Sequence, residues 1–125
     1  MTWLELSTVL EIHERLIKAT GGNYGLRDEG LLQSALYSPL ATFGGEDLYL
    51  DFFTKVAVLL HKIAQNHPFV DGNKRTAFVV GITTLELNGY RFDAEQEEVV
   101  NFMLEVAQGK VDIIRIEAWI RKHTR

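Results

Sequence analysis

Residues 51–88 read DFFTKVAVLLHKIAQNHPFVDGNKRTAFVVGITTLELN. Apolar side chains stand on nearly every face of the first part, which predicts a buried helix over about residues 51–66. A second apolar helix is predicted to open at Asn73 and to stop at Asn88-Gly89, where glycine favours a helix end. Because only the polar loop 67–72 separates them, we expect two central antiparallel helices joined by that loop.

Two more helices are predicted before this pair. Apolar residues recur at intervals of three and four over residues 6–17, with Ser7 as the predicted N-cap, and Gly21-Gly22 ends the pattern. Asp28 can cap a short second helix over residues 29–37, because its side chain can accept a hydrogen bond from a free N–H of the first turn.

Two further helices are predicted after the pair. Asp93 and Gln96 have the spacing of a capping box in front of one apolar helix, and Asp112 caps the last. The segment 39–50 has no helical period and is predicted to be an exposed flap, and residues 90–92 could be extended but have no evident partner strand. We therefore expect an all-α fold, a compact bundle of about six helices.

The composition excludes several classes of protein. A chain of 125 residues with 46% apolar residues is predicted to form one domain over residues 1–125. A formal charge of -4 argues against a protein that binds nucleic acid directly through its phosphate backbone. The absence of cysteine excludes disulfides and thiolate metal sites. With no apolar run long enough to span a bilayer and no signal-peptide pattern, we expect no membrane partner and a cytoplasmic protein.

The loop and the helical turn after it, residues 67–76, read HPFVDGNKRT. Free N–H groups at the start of the second central helix make Gly72, Asn73 and Lys74 a candidate anion site. Arg75 adds a second charge and can bind a phosphate through two hydrogen bonds. This combination of backbone donors and two cations predicts a site for phosphates.

Two other polar side chains of the loop suggest what happens to that phosphate. Asp71 is a hard oxygen ligand of the kind that Mg²⁺ uses when phosphates complete its shell. His67 can act as a general base at neutral pH if a hydroxyl reaches it. The set therefore predicts phosphoryl or nucleotidyl transfer.

Each of these residues also has an ordinary interpretation. His67 alone would be a helix cap, and the sequence Asp71-Gly72-Asn73 alone would be a turn. Lys74 and Arg75 could be solvated, although the first helical turn disfavours cations unless an anion is bound. Phe69 is expected to be a core residue that anchors the loop in either case.

Residues 67–75 resemble the signature of the Fic family, His-x-Phe-x-Asp/Glu-Gly-Asn-Gly/Lys-Arg. Residues 25–36 and Pro39 resemble the N-terminal signature of the death-on-curing (Doc) branch, the toxins of type II toxin-antitoxin systems. The resemblance implies the Fic/Doc fold over nearly the whole chain. It also implies roles for the motif residues: His67 as the general base, Asp71 as the Mg²⁺ ligand, Gly72, Asn73 and Arg75 as phosphate ligands, and Phe69 as the buried anchor.

Two departures from the common Fic pattern bear on the reaction. Lys74 stands where AMP-transferring members usually have glycine, and Phe78 stands where they have a second arginine. Both residues match the Doc branch. The resemblance implies that members of this branch bind ATP in the opposite orientation to AMP-transferring members. The resemblance thus implies a protein kinase that transfers the terminal phosphate of ATP to a Thr or Ser hydroxyl of a translation factor, elongation factor Tu. AMP transfer is the alternative, and a binding module that no longer catalyses is a third hypothesis.

The resemblance also bears on partners. The inhibitory motif of many Fic proteins, Ser/Thr-x-x-x-Glu-Gly/Asn, does not occur in the sequence. This implies inhibition by a separate antitoxin, typically through a disordered segment that folds on binding. The flap 39–50 resembles the segment with which the family docks its targets, and an ordinary connecting loop is the alternative.

Other polar and aromatic residues are expected to be structural. His13 lies on the apolar face of the first helix and is predicted to be a hydrogen-bonded core residue, and His61 is predicted to point away from the loop. Trp3 and Trp119 are predicted to be packing residues, and Arg121, Lys122 and Arg125 a solvated tail.

Overall fold

The computed structural model describes residues 1–125, which form six helices and one short hairpin. The elements are α1 (Leu6–Thr20), α2 (Glu29–Tyr37), a 3₁₀ turn (Ser38–Leu40), β1 (Thr42–Phe43), β2 (Glu46–Asp47), α3 (Phe52–Asn66), α4 (Asn73–Leu87), α5 (Gln96–Ala107) and α6 (Ile113–Lys122). The predicted all-α bundle of six helices is confirmed. No helix is both long and apolar enough to cross a membrane.

Helix α3 is the centre of the bundle and contacts α2, α4, α5 and α6. Its most extensive partner is α4, and α1 packs on α4. Gly81 of α4 lets the two backbones approach closely, because a Cβ there would lie 3.3 Å from Leu60 Cδ1. The central pair therefore presents the motif loop, residues 67–72, at one end of the molecule.

Aspartates cap three of the helices, and two of these caps, Asp28 and Asp112, were predicted. The side chains of Asp28, Asp51 and Asp112 accept hydrogen bonds at 2.8–3.0 Å from backbone N–H groups of the first turns of α2, α3 and α6. These caps satisfy donors that the helices cannot pair internally. Such contacts span only two or three residues, so the sequence contains all the information needed to predict them.

The predicted starts of α1 and α5 are wrong. Helix α1 begins two residues earlier than predicted, with Glu5 rather than Ser7 as N-cap. Leu4 and Val9, on either side of that start, are both buried in the core at the positions of a hydrophobic staple, so packing selects the start instead of a serine cap. Helix α5 is preceded by Glu95, whose side chain makes no capping bond, so the capping box does not form.

Asp93 is unavailable as a cap because its segment pairs with the C-terminal end of the chain. Arg91 and Arg125 exchange two backbone hydrogen bonds of 2.9 Å, and the Asp93 N–H donates to the His123 carbonyl at 2.8 Å. An isolated bridge joins Phe92 and Thr124. Residues 90–92 are thus partly extended, as their sequence suggested, and they pair with residues 123–125, which follow α6.

Arg121 is not part of a solvated tail. Its guanidinium lies 2.6 Å from Asp51 and 3.3 Å from Glu117, and 4.5 Å from the centre of the Phe53 ring. Desolvation disfavours the charged carboxylate of Asp51, but the Phe53 N–H and Arg121 outweigh it and lower the pKa of Asp51. Arg121 therefore joins the end of α6 to the start of α3.

Both tryptophans pack as predicted. The Trp3 indole N–H donates to the Leu36 carbonyl at 2.7 Å. Trp119 stacks on Phe102 with ring centres 4.1 Å apart.

The flap is exposed over most of its length, as predicted, but it contains more structure than expected. Residues 38–40 form a 3₁₀ turn with Pro39 buried, and the two short strands pair around Gly44-Gly45. At the tip, the Phe43 side chain is 83% exposed. Lys55 of α3, only 4% exposed, donates from Nζ to Asp47 Oδ2 at 3.1 Å and to the Tyr49 carbonyl, and so fixes the base of the hairpin.

Candidate active site

The motif loop and the first turn of α4 form one wall of a cleft of about 500 Å³. The C-terminal part of α5 forms the other wall through Leu104, Ala107 and Gln108. Six of the seven predicted site residues line this cleft: His67, Asp71, Gly72, Asn73, Lys74 and Arg75. The seventh, Phe69, is 1% exposed and belongs to the core, as its predicted anchoring role requires.

His67 ends α3 in a left-handed backbone conformation, with φ 48° and ψ 59°. It is the one residue other than glycine with a positive φ. An ordinary side chain in this region costs about 1 kcal/mol, and glycine would remove that cost. The cap interpretation of His67 is therefore correct for its backbone, but a cap alone would favour glycine, so the imidazole itself needs an explanation.

The Asp71 carboxylate is held by two backbone N–H groups. Oδ2 accepts from Asn23 at 3.1 Å and Oδ1 accepts from Gly72 at 2.8 Å. These two bonds, aided by the charge of Arg75, lower the pKa of Asp71. The carboxylate therefore stays ionised and fixed in place at the cleft, which is the state that a cation ligand needs.

The Asn73 side chain is bonded to the backbone of the motif loop. Its Oδ1 accepts from the Phe69 N–H and its Nδ2 donates to the Phe69 carbonyl, both at 3.0 Å, and the residue is buried. This pair of bonds closes the motif loop across four residues. The contribution of Asn73 to an anion site is thus limited to its backbone N–H at the start of α4, beside those of Lys74 and Arg75.

His13 contacts the motif loop from α1. It is a hydrogen-bonded core residue, as its position in the sequence predicted. Its ring is 4% exposed and stacks on Phe69, with centres 3.8 Å apart and planes 6° apart. Its Nε2 donates to the Asp71 carbonyl at 2.8 Å, because that oxygen can only accept. His61 is half-buried on α3 away from the cleft, where burial lowers its pKa.

Arg75 reaches from α4 to the end of α1. Its guanidinium donates to Thr20 Oγ1, while the Thr20 hydroxyl donates to the Leu16 carbonyl at 2.6 Å. Lys74 and Arg75 also border a second, more apolar groove of about 410 Å³, which contains Phe78. The two cations therefore lie between a polar cleft and an apolar groove.

The segment 25–28 runs beside the motif loop and pairs with it. The N–H groups of Arg27 and Asp28 donate to the Pro68 carbonyl at 2.8 and 3.0 Å, and the Val70 N–H donates to the Gly25 carbonyl at 3.0 Å. Gly25 has φ 131°, and a Cβ there would lie 3.1 Å from Val70 Cγ2. The N-terminal signature is thus the structural support of the loop.

Sequence reasoning did not predict that four residues hold the loop from outside it: His13, Thr20, Asn23 and Arg27. Each contacts the motif from 40 to 58 residues away along the chain. The one available signal was the segment from Gly25 to Asp28. The family resemblance pointed to this segment but did not assign it a structural role.

Two neighbouring glycines offer a test of how closely Asp71 is held. We expect Gly22→Ala to destabilise the protein by about 2 kcal/mol more than Gly21→Ala, measured by urea denaturation. Both residues have positive φ, but only at Gly22 would the new Cβ meet Asp71 Oδ2, at 2.6 Å, whereas at Gly21 nothing lies within 4 Å. Equal losses of stability would mean that Asp71 moves aside without cost.

The arrangement provides an imidazole, an ionised carboxylate and a helix N-terminus with two cations around one cleft. No group of three or more histidine or acidic side chains converges to hold a metal alone. The donor set suits a cation that a single carboxylate shares with substrate phosphates. Such an arrangement can support transfer of a phosphoryl or nucleotidyl group from a phosphoanhydride to a hydroxyl.

Two comparisons with known proteins point the same way. The model of the Fic/DOC family matches residues 3–85, which include the motif loop and all but the end of α4. A curated protein of Mycolicibacterium smegmatis, Toxin Doc, is 42% identical to this chain over 104 residues. The match covers 80% of this chain and 78% of the relative.

Proposed function

Because this chain belongs to the Fic/DOC family, we propose that it is a Doc-type toxin, a protein kinase that transfers the terminal phosphate of ATP to a Thr or Ser hydroxyl. The proposed target is a translation factor, elongation factor Tu, so that translation and growth stop. The observation that carries the proposal is the meeting of His67, Asp71 and the N-terminus of α4 in one cleft. All six helices contact α3 or α4, which supports a single catalytic domain over residues 1–125.

In the proposed reaction, His67 takes the proton of the target hydroxyl. The hydroxyl oxygen then forms a bond to the γ-phosphorus, and the bond from that phosphorus to the β,γ-bridging oxygen breaks, so that ADP leaves. His67 ends α3 with its backbone fixed in one conformation, which reduces the number of positions that its imidazole can occupy.

Asp71 is the residue that would hold Mg²⁺. It fits this ion because its carboxylate is ionised, is fixed by two N–H donors and lies next to the anion site. When bound, Mg²⁺ would neutralise charge on the phosphates. The free N–H groups at the start of α4 and the charges of Lys74 and Arg75 would orient those phosphates.

Phe78 and Lys74 favour transfer of phosphate over transfer of AMP. Phe78 lines an apolar groove and offers no charge to a phosphate, and the Lys74 side chain occupies space that a glycine would leave open. The number and placement of cations therefore differ from those of AMP-transferring relatives. AMP transfer remains the alternative because the base and the carboxylate would serve both reactions.

Labelled ATP distinguishes the two reactions. The purified protein is incubated with Mg²⁺, elongation factor Tu or a cell extract, and ATP labelled on either the α or the γ phosphate. We expect label on protein only from the γ position and none with His67→Ala. Label from the α position alone would instead show AMP transfer, and no label from either, in an extract that contains the target, would favour a binding module without catalytic activity.

We also propose that an antitoxin holds the protein inactive in its cell. The support is the name of the relative, a toxin, together with a sequence in which the inhibitory motif of other Fic proteins is missing. A disordered antitoxin segment that folds on binding would be the form of partner that suits such a pair.

A further inference from the structure

Arg27 makes contacts that its position in the sequence does not explain. Its Nε donates to the His67 carbonyl at 2.7 Å, and its Nη2 donates to the Asn66 carbonyl at 2.8 Å. Both acceptors belong to the end of α3, about 40 residues further along the chain. The guanidinium thus holds the backbone of the proposed general base and of the residue before it.

These two carbonyls need a partner. The last carbonyls of a helix have no N–H to accept from within the helix, and they form the negative end of its dipole. A guanidinium carries a permanent positive charge and presents several N–H groups in a rigid plane, so that it can reach two carbonyls at once. Lysine has the charge but lacks this fixed geometry.

The conformation of His67 makes the contact more specific than a helix cap. His67 is left-handed, so its φ and ψ determine where the Cα–Cβ bond points. A residue other than glycine in the left-handed region moves to a more favourable backbone conformation unless its surroundings hold it. The Arg27 bond to the carbonyl of His67 opposes that relaxation from the C-terminal side of the residue.

The segment that carries Arg27 is itself fixed to the motif loop. The Arg27 and Asp28 N–H groups donate to the Pro68 carbonyl, directly after His67. The guanidinium and the backbone of Arg27 therefore contact residues 66, 67 and 68 in succession. Three consecutive carbonyls around the base are held by two residues of one short segment.

We propose that Arg27 is a positioning residue for His67, which orients the imidazole toward the target hydroxyl by holding the end of α3. The inference rests on the proposed function of His67 as the base. It assigns to Arg27 no contact with ATP or with the target. Loss of Arg27 should therefore reduce the rate of the chemical step and leave ATP binding nearly unchanged.

Kinetics with three variants test this role. We expect Arg27→Gln to lower kcat for phosphate transfer about 10- to 100-fold, while KM for ATP stays within about twofold. Arg27→Lys should recover only part of the rate, since it restores charge without the planar donors. Arg115→Gln is the matched control, because Arg115 is exposed on α6 and remote from the cleft. A kcat of Arg27→Gln within threefold of wild type would overturn the proposal.

A second measurement does not need activity. The imidazole ¹H and ¹³C resonances of His67 are measured by NMR at one fixed pH, with those of His61 and His123 as internal references. Arg27→Gln should shift the His67 resonances but leave the resonances of the two references in place. Unchanged His67 resonances would overturn the positioning role. If wild type transferred no phosphate, the proposed function would fail, and the NMR result would still decide whether Arg27 orients His67.

Discussion

Phosphate transfer is expected to fall by about 10²- to 10⁴-fold in both His67→Ala and His67→Gly, the range that loss of a general base produces. The two variants should nevertheless differ in stability. His67 has φ 48°, where alanine is strained and glycine is not. We therefore expect His67→Gly to be about 1 kcal/mol more stable than His67→Ala by urea denaturation.

Comparing these two variants separates the contribution of the imidazole to activity from the effect of the backbone conformation on stability. His61→Ala is the control, because His61 lies on the same helix but outside the cleft, and it should retain transfer activity. Substantial activity in His67→Gly, above a tenth of the wild-type rate, would contradict a role for His67 as base. A glycine variant less stable than the alanine variant would contradict the left-handed conformation.

Asn73→Ala is expected to destabilise the protein by about 2–4 kcal/mol, because it removes two hydrogen bonds and leaves both backbone groups of the buried Phe69 without a partner. Unfolding in urea measures this loss. Asn101→Ala, on the exposed face of α5, should change stability by less than about 0.5 kcal/mol.

The same variant tests the role that resemblance implied for Asn73. A side chain that bound phosphate would, when removed, raise KM for ATP and leave stability nearly intact. A side chain that closes the loop would lower stability first. Asn73→Ala could instead be as stable as wild type to within about 0.5 kcal/mol and have a raised KM for ATP. That result would show that the Asn73 side chain binds phosphate.

The sequence predicted most of the fold because most of the relevant information is local. The cap of α2 by Asp28 depends on residues three positions apart, and the burial of α3 follows from its apolar faces. The failures at Ser7 and Asp93 have one cause. In each case the residue could cap a helix locally, but packing or strand pairing with a distant part of the chain set a different helix start.

The site was predictable to a similar extent. Residues 67–75 stand together in the sequence, so a contiguous motif was enough to place them at one cleft. What motif reasoning could not supply is the direction of each side chain. Asn73 turns inward to Phe69, and Arg27 and His13 approach the loop from other helices or loops.

The stack of His13 on Phe69 and the bond of His13 to Asp71 join α1 to the motif loop across 58 residues. Closing so long a stretch of chain has an entropic cost that only the remaining native contacts can offset. The loop should therefore become ordered together with the whole bundle, as one cooperative unit, rather than at an early stage. A partly folded chain would then lack the geometry for transfer, so that the protein would become harmful to its cell only once its folding is complete.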